Sequence, residues 1–214
     1  MKEFNWRYEI KFLVEPSQWF QIKQMIALHP ASFRTIFPDR MVNNVYYDTP
    51  NFSTCQDNMS GIAVRRKYRH RWYGNPEDKF SASVFEIKIK NNTLGRKETF
   101  KISELDTNGQ IASAQLPESL SPLHLIPVLQ NQYLRSYYLN AEGNFRLTID
   151  RNIKYQKGID HALTDRSYGT EDHRIVIELK FGQEDILNQK EITQYIPFRA
   201  SKHSKYVTGI LACY

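Results

Sequence analysis

Residues 63–74, AVRRKYRHRWYG, place Arg65, Lys67, Arg69 and Arg71 at alternate positions. In an extended strand alternate side chains share a face, so one face of this strand is wholly cationic. The other carries Val64, Arg66, Tyr68, His70 and Trp72. A row of ammonium and guanidinium groups calls for an anion: a phosphate ligand, a nucleic-acid backbone, or scattered carboxylates. Three further stretches mix both signs on one face. They read Arg7-Tyr8-Glu9-Ile10-Lys11-Phe12, Phe85-Glu86-Ile87-Lys88-Ile89-Lys90 and Ile177-Glu178-Leu179-Lys180-Phe181. In each, Glu and Lys share a face while Tyr, Phe, Ile or Leu fill the reverse. Phe145-Arg146-Leu147-Thr148-Ile149-Asp150 repeats the device with Arg146, Thr148 and Asp150.

The apolar reverse faces must pack, which leaves the charged faces two fates. In an antiparallel sheet with one solvated face, Glu and Lys make cross-strand pairs of small value. Strand by strand, that is the simpler reading. In a closed eight-stranded barrel the same faces turn into a lumen just wide enough for side chains or one small ligand. A lumen of Arg, Lys and Glu cannot stay without counter-ions, because desolvated like charges repel. A phosphate chain with a divalent cation meets that need. The bases hold phosphate oxygens and a Glu carboxylate holds the bridging metal.

The elements that must position these groups are mostly strands, expected over residues 3–14, 43–49, 61–74, 83–91, 95–102, 134–140, 144–154 and 173–181. Turn-rich stretches such as YGNPEDK, KNNTLG and NAEGN separate them, with hairpins across 91–94 and 140–143. Helices are expected over residues 16–29, where Trp19, Phe20, Ile22 and Ile26 follow helical spacing. Others are expected from Ser121-Pro122 to residue 132, over 184–196, and from about Ser204 to Leu211. No linker or repeat divides the 214 residues, so one domain over 1–214 is expected. Hydrophobic residues make up 41% and charged residues 24%, which excludes a disordered chain; aromatics at 13% favour β-structure. The N-terminus MKEFNWRYEIKF lacks the apolar core of a signal peptide and no apolar run matches a membrane span, so a cytoplasmic protein is expected. The net charge of +6 suits a polyanionic partner without choosing one. Cys55 and Cys213 have no CxxC or His neighbours, so neither a disulfide framework nor a zinc site is indicated.

Eight stretches in order, RYEIKFLV (7–14), NNVYYDTPNF (43–52), KYRHRWYG (67–74), FEIKIK (85–90), YLRSYY (133–138), FRLTIDRNI (145–153), IVIELKF (175–181) and KHSKYVTGI (202–210), resemble the VTC domain. That domain is the polyphosphate polymerase branch of the triphosphate tunnel metalloenzyme (CYTH-like) superfamily. The resemblance implies an α+β, mainly β fold: an eight-stranded antiparallel barrel, the triphosphate tunnel, with helices packed outside. It implies a transferase that adds the γ-phosphate of ATP to a polyphosphate chain, using Mn²⁺ or Mg²⁺. Carried over by position, phosphate would be bound by Lys11, Arg69, Arg71, Lys88, Arg135, Arg146, Lys202, Ser204 and Lys205. Of these, Arg69, Arg71, Lys88, Arg146 and Lys205 would serve catalysis. Glu178 would hold the metal, with Glu9 and Glu86 as supporting carboxylates. Many superfamily members open with Glu-x-Glu-x-Lys; Arg7 stands here in place of the first Glu, as in the VTC branch, and points away from a plain triphosphatase. Eukaryotic relatives attach phosphate-sensing and membrane domains. This sequence has neither, so export of the product would need a separate membrane partner.

The alternatives are a metal-dependent triphosphatase acting on inorganic triphosphate or a nucleotide, and a non-catalytic polyphosphate- or nucleic-acid-binding module. A single-strand nucleic-acid platform would use Tyr68, Trp72 and Tyr73 beside the cations. It has no use for Glu9, Glu86 and Glu178 among them, so no nucleic-acid partner is expected. The remaining residues are assigned plainer roles. Asp48 reads as a turn residue, and His70 as packing outside the barrel. Lys202, Ser204 and Lys205 read as a plug leading into the last helix, or else a solvated basic turn. Trp72 and Tyr73 either stack a nucleotide base at the tunnel mouth or pack.

Overall fold

The computed structural model describes residues 6–75, 83–102, 117–158 and 169–214. Residues 3–5 of the first expected strand, most of the YGNPEDK turn and His161 lie outside the described residues. Nine antiparallel strands form one sheet: β1 (Arg7–Val14), β2 (Arg34–Asp48), β3 (Val64–Tyr73), β4 (Val84–Asn91), β5 (Leu94–Lys101), β6 (Ile126–Leu139), β7 (Arg146–Lys157), β8 (Thr170–Asp172) and β9 (Ile175–Gly182). Their order is β6-β2-β3-β4-β5-β1-β9-β7, and β7 pairs with β6 again, closing a ring of eight strands. The short β8 adds to β7 outside that ring.

Closure is uneven. Twelve register positions join β2 to β6, but only Arg7 opposite Gly95 joins β1 to β5. Beyond that point the segment before the last helix takes over the free edge of β1. Phe12 bridges Ala200, and the Ser201 backbone N–H donates to the Lys11 carbonyl at 2.8 Å.

The outward faces are apolar and covered. Phe12, Val14, Leu147, Ile149, Ile177 and Leu179 pack against α1 (Trp19–Leu28) and α3 (Gln189–Thr193). Ile22, Met25 and Ile26 recur at three- and four-residue spacing and bury one stripe of α1, which stops before Pro30. Tyr47, Tyr68, Trp72, Phe85 and Ile87 form a second outer cluster beneath Leu120.

Helix α4 (Lys205–Cys213) departs from the expected outside packing. Ser204 is its N-cap, with Oγ accepting from the Val207 N–H. Lys205 and Tyr206 border the central cavity, and Tyr206 stacks on the inward-facing Tyr46 at 5.0 Å. The helix therefore closes one end of the ring. Gly209 permits the approach, because a Cβ there would stand 2.5 Å from both Leu129 and Tyr155.

Several boundaries differ from the sequence reading. Residues 121–132 do not form a helix: a 3-10 turn ends at Leu123 and β6 begins at Ile126. Residues 128–131 are all buried, so the period-2 signal of a half-buried strand is missing there. β2 starts nine residues earlier than expected, in an exposed, bulged stretch. The 184–196 helix shrinks to α3, preceded by turns. α2 (Ser53–Met59) was not anticipated. Its signal is Asp48, fully buried, whose carboxylate accepts the backbone N–H groups of Thr54 and Cys55 at 2.9 Å and the hydroxyl of Tyr206. Asp48 is thus more than a turn residue, since it ties α2 to α4.

Gly209→Ala tests the plug. The substitution gains about 1 kcal/mol in helix propensity, while overpacking a full core costs roughly 1–3 kcal/mol. Leu129 and Tyr155 have no exposed surface through which to yield, so overpacking wins. Urea unfolding should show a net loss of stability; a gain would mean that α4 does not press into the ring.

Candidate functional site

The ring encloses a cavity of about 360 Å³, bordered, among the described residues, by fourteen Lys and Arg and two Glu. Strand register builds it, since inward positions face each other across neighbouring strands. Lys11 lies opposite Glu178, and Glu178 opposite Thr148. Glu9 lies opposite Lys180, which faces Arg146. Arg69 stands between Tyr46 and Glu86, Lys88 between Lys67 and Lys97, and Arg135 beside Asp150.

Four carboxylates organise these cations. Glu178 Oε2 accepts from Lys180 at 2.6 Å and Arg135 at 3.5 Å, while Oε1 meets Lys11 at 3.2 Å and Lys205 at 3.5 Å. Burial alone would raise its pKa, but Lys11, Lys180, Lys205 and Arg135 hold it well below the ordinary carboxylate value. Asp150 is fully buried; the Arg135 fork grips it at 2.5 and 2.6 Å and Lys205 reaches it at 2.5 Å. Such two-pronged pairs are the strongest ion pairs available to a protein. Glu86 binds Arg69 at 2.5 and 2.6 Å and Lys97 at 2.5 Å, and against the effect of burial these cations and Arg71 hold it low. Glu9 pairs with Lys88 at 2.9 Å and Lys11 at 3.1 Å, and again these two outweigh burial and lower its pKa.

Arg71 is buried and hydrogen-bonded to neutral groups, donating to Asn44 at 2.7 Å and to the Tyr133 hydroxyl at 2.9 Å. Lys67 donates to Ser204 Oγ at 2.6 Å. Burial, then Lys88 and Lys11, push the Lys67 ammonium well below its ordinary pKa, and burial and Lys88 lower Lys90 likewise. Lys180 is brought down to about 8 by burial despite its contact with Glu178. In all three, burial is the largest cause and neighbouring cations add to it.

Lys11, Arg69, Arg71, Lys88, Arg135, Arg146, Ser204, Lys205, Glu9 and Glu178 all border the cavity. Glu86 sits behind Arg69 instead, and Lys202 is exposed and away from the cavity. Ser204 Oγ already accepts from Val207 and Lys67, which leaves its own hydroxyl proton to donate. Trp72 is buried in the outer cluster with His70 5.2 Å away, so it packs; Tyr73 reaches the cavity rim. Tyr68 and Trp72 therefore face away from the cations, which removes the basis for a single-strand platform. Sequence reasoning set Lys90, Lys180 and Asp150 on charged strand faces without giving them a part in the site, and it passed over Lys97, although each lies on the inward alternation of its strand. Tyr46 and Tyr133, which shape the wall beside Arg69 and Arg71, carried no signal.

The family model of the VTC domain matches residues 6–214. Among curated proteins no sequence match was found. Solved structures share the fold. A candidate adenylate cyclase from Vibrio parahaemolyticus is 16% identical over 96% of this chain and 98% of that one, with a TM-score of 0.54. A candidate adenylyl cyclase from Hippeastrum, described as having a dominant triphosphatase activity, is 14% identical over 98% and 97%, with a TM-score of 0.56. The PH1819 protein from Pyrococcus horikoshii is 13% identical over 95% and 94%, with a TM-score of 0.50.

The depressed lysines predict a proton signature. A polyanion in the lumen favours the charged form of Lys67 and Lys180, raising their pKa values, so binding near pH 8 must take up protons and weaken as pH rises through 8. Calorimetry with long-chain polyphosphate, whose internal phosphates are fully ionised, in buffers of different ionisation enthalpy measures the uptake. Equal heats in all buffers would contradict it.

Proposed function

From a chain that belongs to the VTC domain family, we propose an enzyme that transfers the γ-phosphoryl group of ATP to the end of a polyphosphate chain within the lumen. Arg69 and Arg71 border the lumen and keep guanidinium N–H groups beyond those engaged by Glu86, Asn44 and Tyr133, and Lys88, Arg135, Arg146 and Lys205 add charge around them. Tyr73 at the rim is the aromatic placed to meet the adenine. The terminal phosphate of the acceptor attacks the γ-phosphorus in line, a new P–O bond forms, the bond to ADP breaks, and ADP leaves. The chain supplies positioning and electrostatic stabilisation, with no covalent intermediate on a side chain.

A divalent ion fits this donor set. Glu9 Oε1 at 3.1 Å, Glu178 Oε1 at 3.2 Å and the His203 carbonyl at 2.9 Å converge on the Lys11 ammonium. Three oxygens around one cation are the donors that Mg²⁺ and Mn²⁺ prefer. Among the described residues no three His, Cys, Asp and Glu side chains gather to hold a metal, so phosphate oxygens and water would complete the shell around these two carboxylates and one carbonyl. Glu178 and Glu9 would hold the ion; bound there, it would neutralise charge on bridging phosphate oxygens. Glu86, engaged with Arg69 and Lys97, is better suited to orienting Arg69.

One observation carries transfer over hydrolysis. Glu9, Glu86, Asp150 and Glu178 are all ion-paired and held below the ordinary carboxylate range, so none is poised to take a proton from water. A phosphate acceptor arrives already ionised and needs no base. The second reading, hydrolysis of a triphosphate, rests on Lys67, whose depressed pKa would let its amine accept a proton from water beside the site. No helix among the described residues is long and apolar enough to cross a membrane.

Purified protein incubated with ATP and Mn²⁺, then run on a gel stained for polyphosphate, decides between the readings. Transfer predicts a growing polymer ladder with stoichiometric ADP. Orthophosphate without polymer would replace transfer by hydrolysis, and no consumption of ATP or tripolyphosphate would overturn both.

A further inference from the structure

Lys11 occupies the one point where Glu9, Glu178 and the His203 carbonyl converge, and its three N–H bonds are all used there. The two carboxylates have little else to offer a metal. Glu9 Oε2 is held by Lys88 at 2.9 Å, and Glu178 Oε2 by Lys180 at 2.6 Å. A dication entering with Lys11 in place would meet occupied oxygens and an ammonium group at contact distance. Phosphate changes the balance. Lys11 borders the cavity on a flexible four-carbon stem, so a phosphate oxygen in the lumen offers its ammonium a new partner. The oxygens it leaves are those a hard cation takes, Glu178 Oε1 keeping only a longer contact with Lys205 at 3.5 Å.

Resting on the phosphate-transfer reading of this lumen, we propose that Lys11 is a resident counter-cation that makes divalent-metal binding conditional on bound phosphate. Free metal does not fill the site of the empty protein; it enters with, or after, the phosphate that draws Lys11 away. Metal and phosphate then reinforce each other's binding by the same factor, as linkage requires, of roughly 5–150-fold. The ammonium returns when the product leaves, and the metal is released with the product.

The test follows Mn²⁺ by water-proton relaxation, which is enhanced when the ion tumbles with the protein. Wild-type protein with Mn²⁺ alone should show no enhancement over the range that saturates the tripolyphosphate-loaded protein. Lys11→Met should show enhancement with Mn²⁺ alone. Lys88→Met, which strips Glu9 of its other partner but leaves Lys11 in place, should stay silent without phosphate. Equal Mn²⁺ binding by wild-type protein with and without tripolyphosphate would overturn the proposal. So would a cooperatively melting Lys11→Met protein that gains no affinity for the free ion. If Lys11→Met does not fold, Lys11→Gln, which keeps a donor without the charge, carries the same expectation, and the wild-type comparison still decides. Calorimetric titration of metal-free wild-type protein with tripolyphosphate separates the two layers. No heat of binding there would fail the phosphate reading itself, whereas binding with unconditional Mn²⁺ uptake would fail only the role of Lys11.

Discussion

Fourteen cationic side chains around one cavity of about 360 Å³ impose the constraint on which the rest of this structure depends. Like charges held a few ångströms apart and away from water repel strongly, and removing each from water carries a further cost. The fold meets this with four carboxylates set by strand register beneath and between the cations. Asp150 and Glu178 serve Arg135 and Lys205, Glu86 serves Arg69 and Lys97, and Glu9 serves Lys88 and Lys11. The compensation is partial: Lys67, Lys90 and Lys180 remain below their ordinary pKa values. A lumen of that kind would gain from a polyanion, which favours the charged form of each lysine.

Closure gives the charges their strength. A flat sheet with the same faces would leave them in water, where ion pairs and phosphate contacts are weak. The ring walls the cavity off from much of the bulk solvent, and α4 seals one end through Tyr206, Gly209 and the Tyr206–Asp48 contact. The same helix brings Lys205 and the Ser204 hydroxyl to the cavity. Fold and chemistry therefore meet in one short segment, 200–206, which also covers the edge of β1 beside Lys11. At the seam where β1 and β5 share a single register position, the Glu9–Lys88 pair ties β1 to β4. Side-chain charge there supplements the thin backbone ladder.

Alternation made the ring and its inward residues legible. In β1, β3, β4 and β9 an apolar face and a charged face repeat with period 2, which puts Lys11, Arg69, Lys88 and Glu178 on the charged side from sequence alone. The signal failed where burial was two-sided or where bulges broke the period. Residues 128–131 of β6 are buried throughout, and the first half of β2 is irregular and exposed. Lys202 resembled Lys205 in sequence, yet only the residue inside the first turn of α4 points to the cavity. Glu86 and Glu178 looked equivalent within their Glu-x-Lys patterns. Their different roles arise from cross-strand partners, Arg69 for one and Lys11 for the other, and partners are a property of register rather than of local sequence.

The central claim is that a phosphate chain completes an electrostatically unfinished lumen, and thermal unfolding in metal-free buffer tests it most directly. Tripolyphosphate at about a hundred times its dissociation constant stabilises the folded state by about 2.7 kcal/mol. For a chain of this size that should raise Tm by roughly 5–10 °C. Sulfate at matched ionic strength, with fewer charges and no chain to span the cavity, should raise it far less. No rise with tripolyphosphate, or an equal rise with sulfate, would contradict the account.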